Sequence, residues 1–240
     1  MSARRLALVG ALGLLLAGCG GGETVLSGQA VLTVVPWSAA ETAHYRLLDG
    51  DDPKGTATLS IEPQGSVVLF RQTFEIPDEG LSDEVSVEAD GLTLKPRRVE
   101  RTINGPEGNR ICVADYSGSK ATVEQKAGED QRTDEVDVPT RAYDSWSDLF
   151  LWRTIAFREG YEASYSDVLT CTLTKPQLLA VVLELRGIEE VSVPAGSFQA
   201  WRLEIRSGGR TQKAWYSDDA LHTLVRYDNG DLVFELESTE

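Results

Sequence analysis

The stretch Val193-Pro194-Ala195-Gly196-Ser197-Phe198-Gln199-Ala200-Trp201-Arg202-Leu203-Glu204-Ile205-Arg206-Ser207-Gly208-Gly209 decides the fold class. Trp201, Leu203 and Ile205 alternate with Arg202, Glu204 and Arg206. That period of two puts apolar side chains on one face of a strand and charges on the other. Pro194-Ala195-Gly196 before it and Ser207-Gly208-Gly209 after it supply turn residues. The segment reads as one strand of a half-solvated antiparallel sheet.

The pattern extends in both directions. Towards the C-terminus, Ala214 to Tyr216, Leu224 to Tyr227 and Leu232 to Leu236 read as short strands. Asp228-Asn229-Gly230 makes a turn between the last two, and a tight hairpin there requires positive φ at both Asn229 and Gly230. Upstream, the dense apolar run Leu178 to Leu185 is interrupted at Gly187, and Val191 starts a new hairpin. Ala43 to Leu48, Thr56 to Glu62, Val67 to Ile76, Val85 to Ala89, Leu92 to Ile103, Ile111 to Tyr116 and Tyr161 to Val168 complete the strands, separated by turns such as Pro63-Gln64-Gly65 and Asn104-Gly105. Residues 126 to 137, with Glu129, Asp130, Asp134, Glu135 and Asp137, read as a solvated acidic loop whose spacing matches no EF-hand.

One segment has a different period. From Ser145 to Phe157, Trp146, Leu149 and Phe150 share a helical face, and Trp152, Ile155 and Ala156 continue the stripe. Asp144 is positioned to cap it, with Ser147 and Asp148 in the first turn. Trp146, Phe150 and Trp152 either pack into the core or form the wall or lid of a ligand cavity. The expected fold is mainly β: a highly curved antiparallel sheet forming an open or half barrel, with one main helix across or beside its concavity. A single β-rich domain is expected over residues 28–240.

The N-terminus carries the most specific local signal. Met1-Ser2-Ala3-Arg4-Arg5 is cationic, Leu6 to Leu16 is apolar, and Leu16-Ala17-Gly18-Cys19 resembles the bacterial lipobox. That resemblance implies a lipoprotein signal peptide over residues 1–18, a lipidated Cys19, and a short tether over residues 19–27. Two or three acyl chains on Cys19 would anchor the protein stably in a membrane. Gly20 follows Cys19 where the inner-membrane retention signal has Asp. The expected location is therefore the cell envelope: the periplasmic face of the outer membrane in a two-membrane cell, or otherwise the outer face of the cytoplasmic membrane.

The chain has 240 residues, with 23 Lys and Arg against 38 Asp and Glu and a formal charge of −15. Without Arg4 and Arg5 the balance is 21 against 38, or −17. So acidic a surface repels nucleic acid and anionic headgroups, and nucleic acid is not an expected partner. The densest basic run, Lys95, Arg97, Arg98 and Arg101, is interrupted by Pro96, Val99 and Glu100. It reads as outward-facing strand residues. Cys112 and Cys171 remain as an even pair in an exported domain, and a disulfide is expected. Closing about 60 residues, it would add about 4 kcal/mol on chain-entropy grounds.

Catalytic constellations are missing from the sequence. His44 and His222 are the only histidines, far apart and both in strand-like stretches, and there is no H-E-x-x-H, C-x-x-C or G-x-S-x-G. No cofactor and no metal site is expected. Glu75, Glu100, Glu184, Glu189 and Glu190 could supply an acid/base pair, but nothing distinguishes them from the other carboxylates. Trp215 and Tyr216 are neighbours on a strand, so only one of them can face a given pocket.

The chain resembles the DUF3108 family of exported bacterial proteins of unknown function. The likeness rests on Val193-Pro194-Ala195-Gly196-Ser197-Phe198, Trp201-Arg202, Trp215-Tyr216-Ser217, Leu224-Val225-Arg226-Tyr227 and Phe234-Glu235-Leu236, and extends to Gly55-Thr56-Ala57 and the segment from Tyr143-Asp144. The resemblance supplies no catalytic set. It implies an architecture similar to the bacterial lipoprotein carriers and receptors, whose incomplete barrel wraps an apolar cavity. Two functions follow as expectations: binding of a lipid or other hydrophobic molecule, with Trp146, Phe150 and Trp152 as its walls, or a non-catalytic envelope scaffold that engages a protein partner.

Overall fold

A computed structural model describes residues 29–240. The lipobox, Cys19 and the tether through residue 27 lie outside the described residues.

The alternating segments form one sheet of fifteen strands. They are β1 (Glu41–Asp49), β2 (Asp52–Gln64), β3 (Val67–Ile76), β4 (Leu81–Asp90), β5 (Pro96–Gly105), β6 (Gly108–Ser117), β7 (Lys120–Ala127), β8 (Asp130–Asp137), β9 (Ala142–Asp144), β10 (Glu162–Leu169), β11 (Gln177–Val193), β12 (Gly196–Ser207), β13 (Arg210–Ser217), β14 (Leu224–Asp228) and β15 (Val233–Thr239). Their order in the sheet is 8-7-6-5-4-3-2-1-15-14-13-12-11-10-9. Each half is thus a meander, and the pairing of β1 with β15 joins the two halves. All ladders between these strands are antiparallel except the short parallel pair β9–β10.

This order overturns the open or half barrel expected from the sequence. The sheet is an extended open one: β8 and β9 end the ladder and do not pair with each other. Alternation specifies which face is buried, but it does not carry the bend of the sheet. The expected main helix is also corrected. Residues 145–154 form a 3-10 turn (Ser145–Ser147), a single α-turn α1 (Asp148–Leu151) and a second 3-10 turn (Trp152–Thr154). Phe157 lies outside. The Asp144 carboxylate caps the segment by accepting from the Trp146 amide, as the sequence suggests.

One face of the sheet is predominantly apolar, with Gln72, Asp83 and Asp167 as buried exceptions. Tyr45 and Leu47, Leu59 and Ile61, Val68 and Phe70, Val85 and Val87, Leu203 and Ile205, and Phe234 and Leu236 are buried at alternate positions in one core. The helical segment lies within the same core. Phe150 stacks on Phe70 with ring centroids 4.6 Å apart, and Tyr216 donates to the Leu149 carbonyl. The opposite face carries ion pairs such as Arg46–Glu235, Arg206–Glu184 and Arg202–Glu189. Trp215 and Tyr216 separate as strand neighbours must: Tyr216 enters the main core, and Trp215 joins a small cluster with Val191, Ala200 and Val225.

Three local readings change. The acidic stretch 126–137 is a hairpin, in which Ala127 pairs with Asp130 around Gly128. The Lys120–Glu135 ion pair links its strands. Seven of the eight residues of β8 are polar, all but Val136, so alternation of polarity provides no strand signal there. Positive φ occurs at Gly230 (89°) but not at Asn229, because the turn spans four residues. The Asn229 side chain accepts from the Asp231 and Leu232 amides instead. Gly187 (φ 121°) marks a bulge within β11 and does not end the strand. Gly55 has a steric reason of its own: a Cβ there would lie 1.9 Å from the Glu75 carbonyl oxygen.

The two halves of the sheet are clasped by the segment after β10. Cys112 on β6 is bonded to Cys171, with Cα atoms 5.5 Å apart. Arg101 donates to the Cys171 carbonyl, Gln125 to that of Thr172 and Arg132 to that of Thr174. We expect the non-reduced protein to be two mass units lighter than the reduced one. With the cysteines 59 positions apart in sequence, replacing both with alanine should cost about 4 kcal/mol. The melting temperature should fall on the order of 10 °C, and an unchanged temperature would show that the hydrogen bonds alone hold the clasp.

Candidate functional site

Between the helical segment and the apolar face of the sheet lies a cleft of about 380 Å³, within the roughly 300–1,000 Å³ of small-molecule sites. Its aromatic wall is Phe74, Trp146, Trp152, Tyr227 and Phe234, with Leu179, Val181 and Ile205 from β11 and β12 opposite. Each strand residue reaches it for the same reason: it holds an inward position in its alternation.

The structure divides the three aromatic residues singled out from the sequence. Trp146 and Trp152 line the cleft. Phe150 points to the other side of the segment, onto Phe70, and borders a smaller cavity of about 230 Å³ with Tyr45, Leu59 and Arg153. Trp152 is a buried wall whose indole N–H donates to the Tyr165 hydroxyl. Trp146 is half-buried, and the Arg101 guanidinium lies 4.4 Å from its ring centroid. Its indole nitrogen is buried without a hydrogen-bond partner.

Sequence reading missed the carboxylates at this site. Asp144, Asp148 and Asp167 are all buried beside the cleft, and Asp148 and Asp167 line it. Asp144 is fully engaged: it accepts from the hydroxyls of Tyr116 and Thr170 and from the Trp146 amide. Burial nevertheless pushes its pKa up to about 6. Asp148 accepts from the Tyr165 hydroxyl at 2.6 Å, yet burial, and then the nearby Asp144, raise its pKa well above the usual carboxylate range. Asp167 is raised likewise by burial and then by Asp148 and Asp144, and its Oδ1 has no partner. The signal for Asp167 was present in the sequence: it follows Ala163 and Tyr165 at inward positions of β10. Among the described residues no group of three or more His, Cys, Asp or Glu is placed to hold a metal ion.

The other candidates lie elsewhere. Glu100, Glu184 and Glu189 pair with arginines on the outer face. His44 sits on β1 beside Thr58, whereas His222 lies in the loop after β13, not in a strand, stacked 3.8 Å from Phe157. The basic run is neutralised locally. Lys95 donates to the Ala142 carbonyl, Arg97 pairs with Asp90, Arg98 with Asp115 and Arg101 with Asp83. Burial, and then Arg141, lower the Lys95 pKa to about 8.

Comparison with known proteins follows this geometry. The model of the family described as "Protein of unknown function (DUF3108)" matches residues 42–237, and the chain belongs to that family. No curated protein matches. A Brucella abortus structure, described as a beta-barrel-like protein of a domain of unknown function, DUF1849, is similar over 84% of this chain and 97% of its own. Its identity is 10% and its TM-score 0.56. That likeness shows a shared fold alone. A Bacteroides fragilis protein, described as exported with a YmcC-like fold, aligns over 87% of this chain and 99% of its own at 9% identity and a TM-score of 0.28, too low to carry an argument.

The buried acids make stability depend on pH. The folded protein holds the Asp144 proton more tightly than an unfolded chain does. The resulting stabilisation is fully present below about pH 4 and is lost as pH rises through about 6, with Asp148 and Asp167 extending the loss to higher pH. At about 1.4 kcal/mol per tenfold change in proton affinity, Asp144 alone contributes on the order of 3 kcal/mol. Melting temperature should fall between pH 5 and pH 8, and Asp167→Asn should flatten that fall. A pH-independent melting curve would contradict the assignment.

Proposed function

We propose that this DUF3108 protein is an envelope lipoprotein that binds a lipid or other hydrophobic molecule in the cleft beneath residues 145–154. The observation that carries this reading is the cleft itself. An aromatic and aliphatic concavity removes hydrocarbon from water, and a few convergent polar atoms can orient a headgroup. On two of its lining residues, the Trp146 indole nitrogen and Asp167 Oδ1 are buried without partners. Buried polar atoms are normally satisfied, and an atom of a ligand or an ordered water is what such atoms call for. The architectural likeness to lipoprotein carriers belongs to this proposal as an analogy of cargo alone, since an open sheet replaces their incomplete barrel.

The lipobox supports the location. Acylated Cys19 would hold the domain at a membrane within reach of hydrophobic cargo. Cys19→Ser should move the protein from the membrane fraction to the soluble envelope fraction. Recovery of that variant in membranes at the wild-type level would contradict lipid anchoring.

The scaffold reading would use the free edge of β8. That edge carries Asp130, Asp134, Glu135 and Asp137, and charged edges resist added strands. The cleft reading therefore comes first. Its test is native mass spectrometry with lipid extraction on the purified protein and on Leu179→Trp, which fills the cleft without adding charge. A stoichiometric co-purified or added lipid, lost in Leu179→Trp while the β circular dichroism and melting temperature persist, supports it. Protein that emerges empty and binds no lipid on challenge overturns it in favour of the scaffold. Charged substitutions at Phe150 or Trp152 would not serve, because both are core residues.

A further inference from the structure

The cleft combines three features that an apolar pocket for plain hydrocarbon does not need. Two carboxyl groups, Asp148 and Asp167, enter its wall, and a third, Asp144, stands behind them. Arg210 is the single basic residue among the described residues lining it, and it is committed to Asp231 at 2.6 Å. Asp167 is almost fully buried, with Oδ1 unpartnered.

Burying an ionised carboxylate is costly unless an opposite charge accompanies it. Among the described residues, the groups that act on these acids bring no such charge. Around Asp167 stand Asp144 and Asp148; around Asp148 stand Asp144 and the Tyr165 hydroxyl; Tyr227, facing both Asp148 and Asp167, is itself neutral. The absent counter-charge is positive. The rest of the wall suits one: Trp152, Tyr227, Phe74 and Phe234 present aromatic rings, whose electron-rich faces attract a desolvated cation. A simple metal ion is a poor fit, since no ligand cluster is assembled among the described residues.

We propose that the cleft takes an organic cation, an amine or quaternary ammonium headgroup bearing a hydrocarbon chain, with Asp167 as its counter-ion and the aromatic wall around its charge. The inference rests on the reading of the cleft as a binding site and names the headgroup that site selects. Binding converts the Asp167 carboxylic acid to carboxylate, and its proton leaves to solvent as the cation enters. A neutral or anionic headgroup would leave Asp167 protonated and release nothing.

The test is calorimetric titration of the purified protein below micelle concentrations with decyltrimethylammonium, 1-decanol and decanoate, each in two buffers of different ionisation enthalpy. The quaternary ammonium carries no dissociable proton, so any proton released comes from the protein. We expect it to bind at least tenfold more tightly than decanol, with release of up to one proton per ligand. Asp167→Asn should abolish the release and bring the two affinities together while keeping decanol binding, and Leu179→Trp should weaken both ligands. Equal or tighter binding of decanol or decanoate, or cation binding without proton release, overturns the headgroup assignment and leaves the cleft as a hydrophobic site. Failure of all three probes overturns the cleft reading as well.

Discussion

A fifteen-stranded sheet with one apolar face must have that face covered, and most of the structure answers that constraint. The exposed face is saturated with ion pairs, so exclusion of water from the other face is the main driving force. Part of the cover is very little secondary structure, residues 145–154 arranged as one α-turn between two 3-10 turns, and Val31 and Trp37 pack into the same core. So short a helix has no stability of its own. Its side chains hold it, with Phe150 on Phe70, Trp152 on Tyr165, and the Leu149 carbonyl accepting from Tyr216. The Trp146 carbonyl accepts from Gln72.

The same constraint accounts for the clasp. An open sheet leaves two free edges, and here the strands near them are held by side chains and one covalent bond. Cys112–Cys171 acts together with the Arg101, Gln125 and Arg132 bonds to the backbone of residues 171–174. The Tyr116 hydroxyl reaching Asp144 adds a tie from β6 to β9. These contacts join the first half of the sheet to the last. The cover over residues 145–154 is therefore positioned from both halves.

The cover does not fill the face. Beside it remains the cleft, and the acids that cap and flank the segment border that space. Asp144 is satisfied by three donors and serves the local fold. Asp167 serves no visible contact with its Oδ1 and costs stability whenever it ionises. A sequence under pressure for stability alone would place an apolar residue there. Its presence at an inward position, against aromatic walls, is what separates this cleft from an ordinary packing defect.

Several features follow from sequence alone because they are properties of short windows. Alternation at Trp201–Arg206 puts Leu203 and Ile205 inside, the opposed fates of Trp215 and Tyr216 follow from neighbouring positions, and Val67–Ile76 is a strand with the bounds its pattern suggests. Family membership is legible in the turn and strand motifs, and the pairing of Cys112 with Cys171 follows from their being the two cysteines of residues 28–240. Other features depend on neighbours distant in the chain. Residues 130–137 become a strand only because β7 offers its edge, and residues 145–157 read as one helix, whereas the α-helix in the structure is the single turn Asp148–Leu151. Bend and closure of a sheet are set by how all its strands associate, so the open or half barrel expected from the sequence gave way to an extended open sheet. Asp167 looked like one carboxylate among thirty-eight acidic residues. Alternation with Ala163 and Tyr165 assigns it to their face, but only the tertiary structure covers that face and so buries it, because what covers a residue comes from elements distant in the chain.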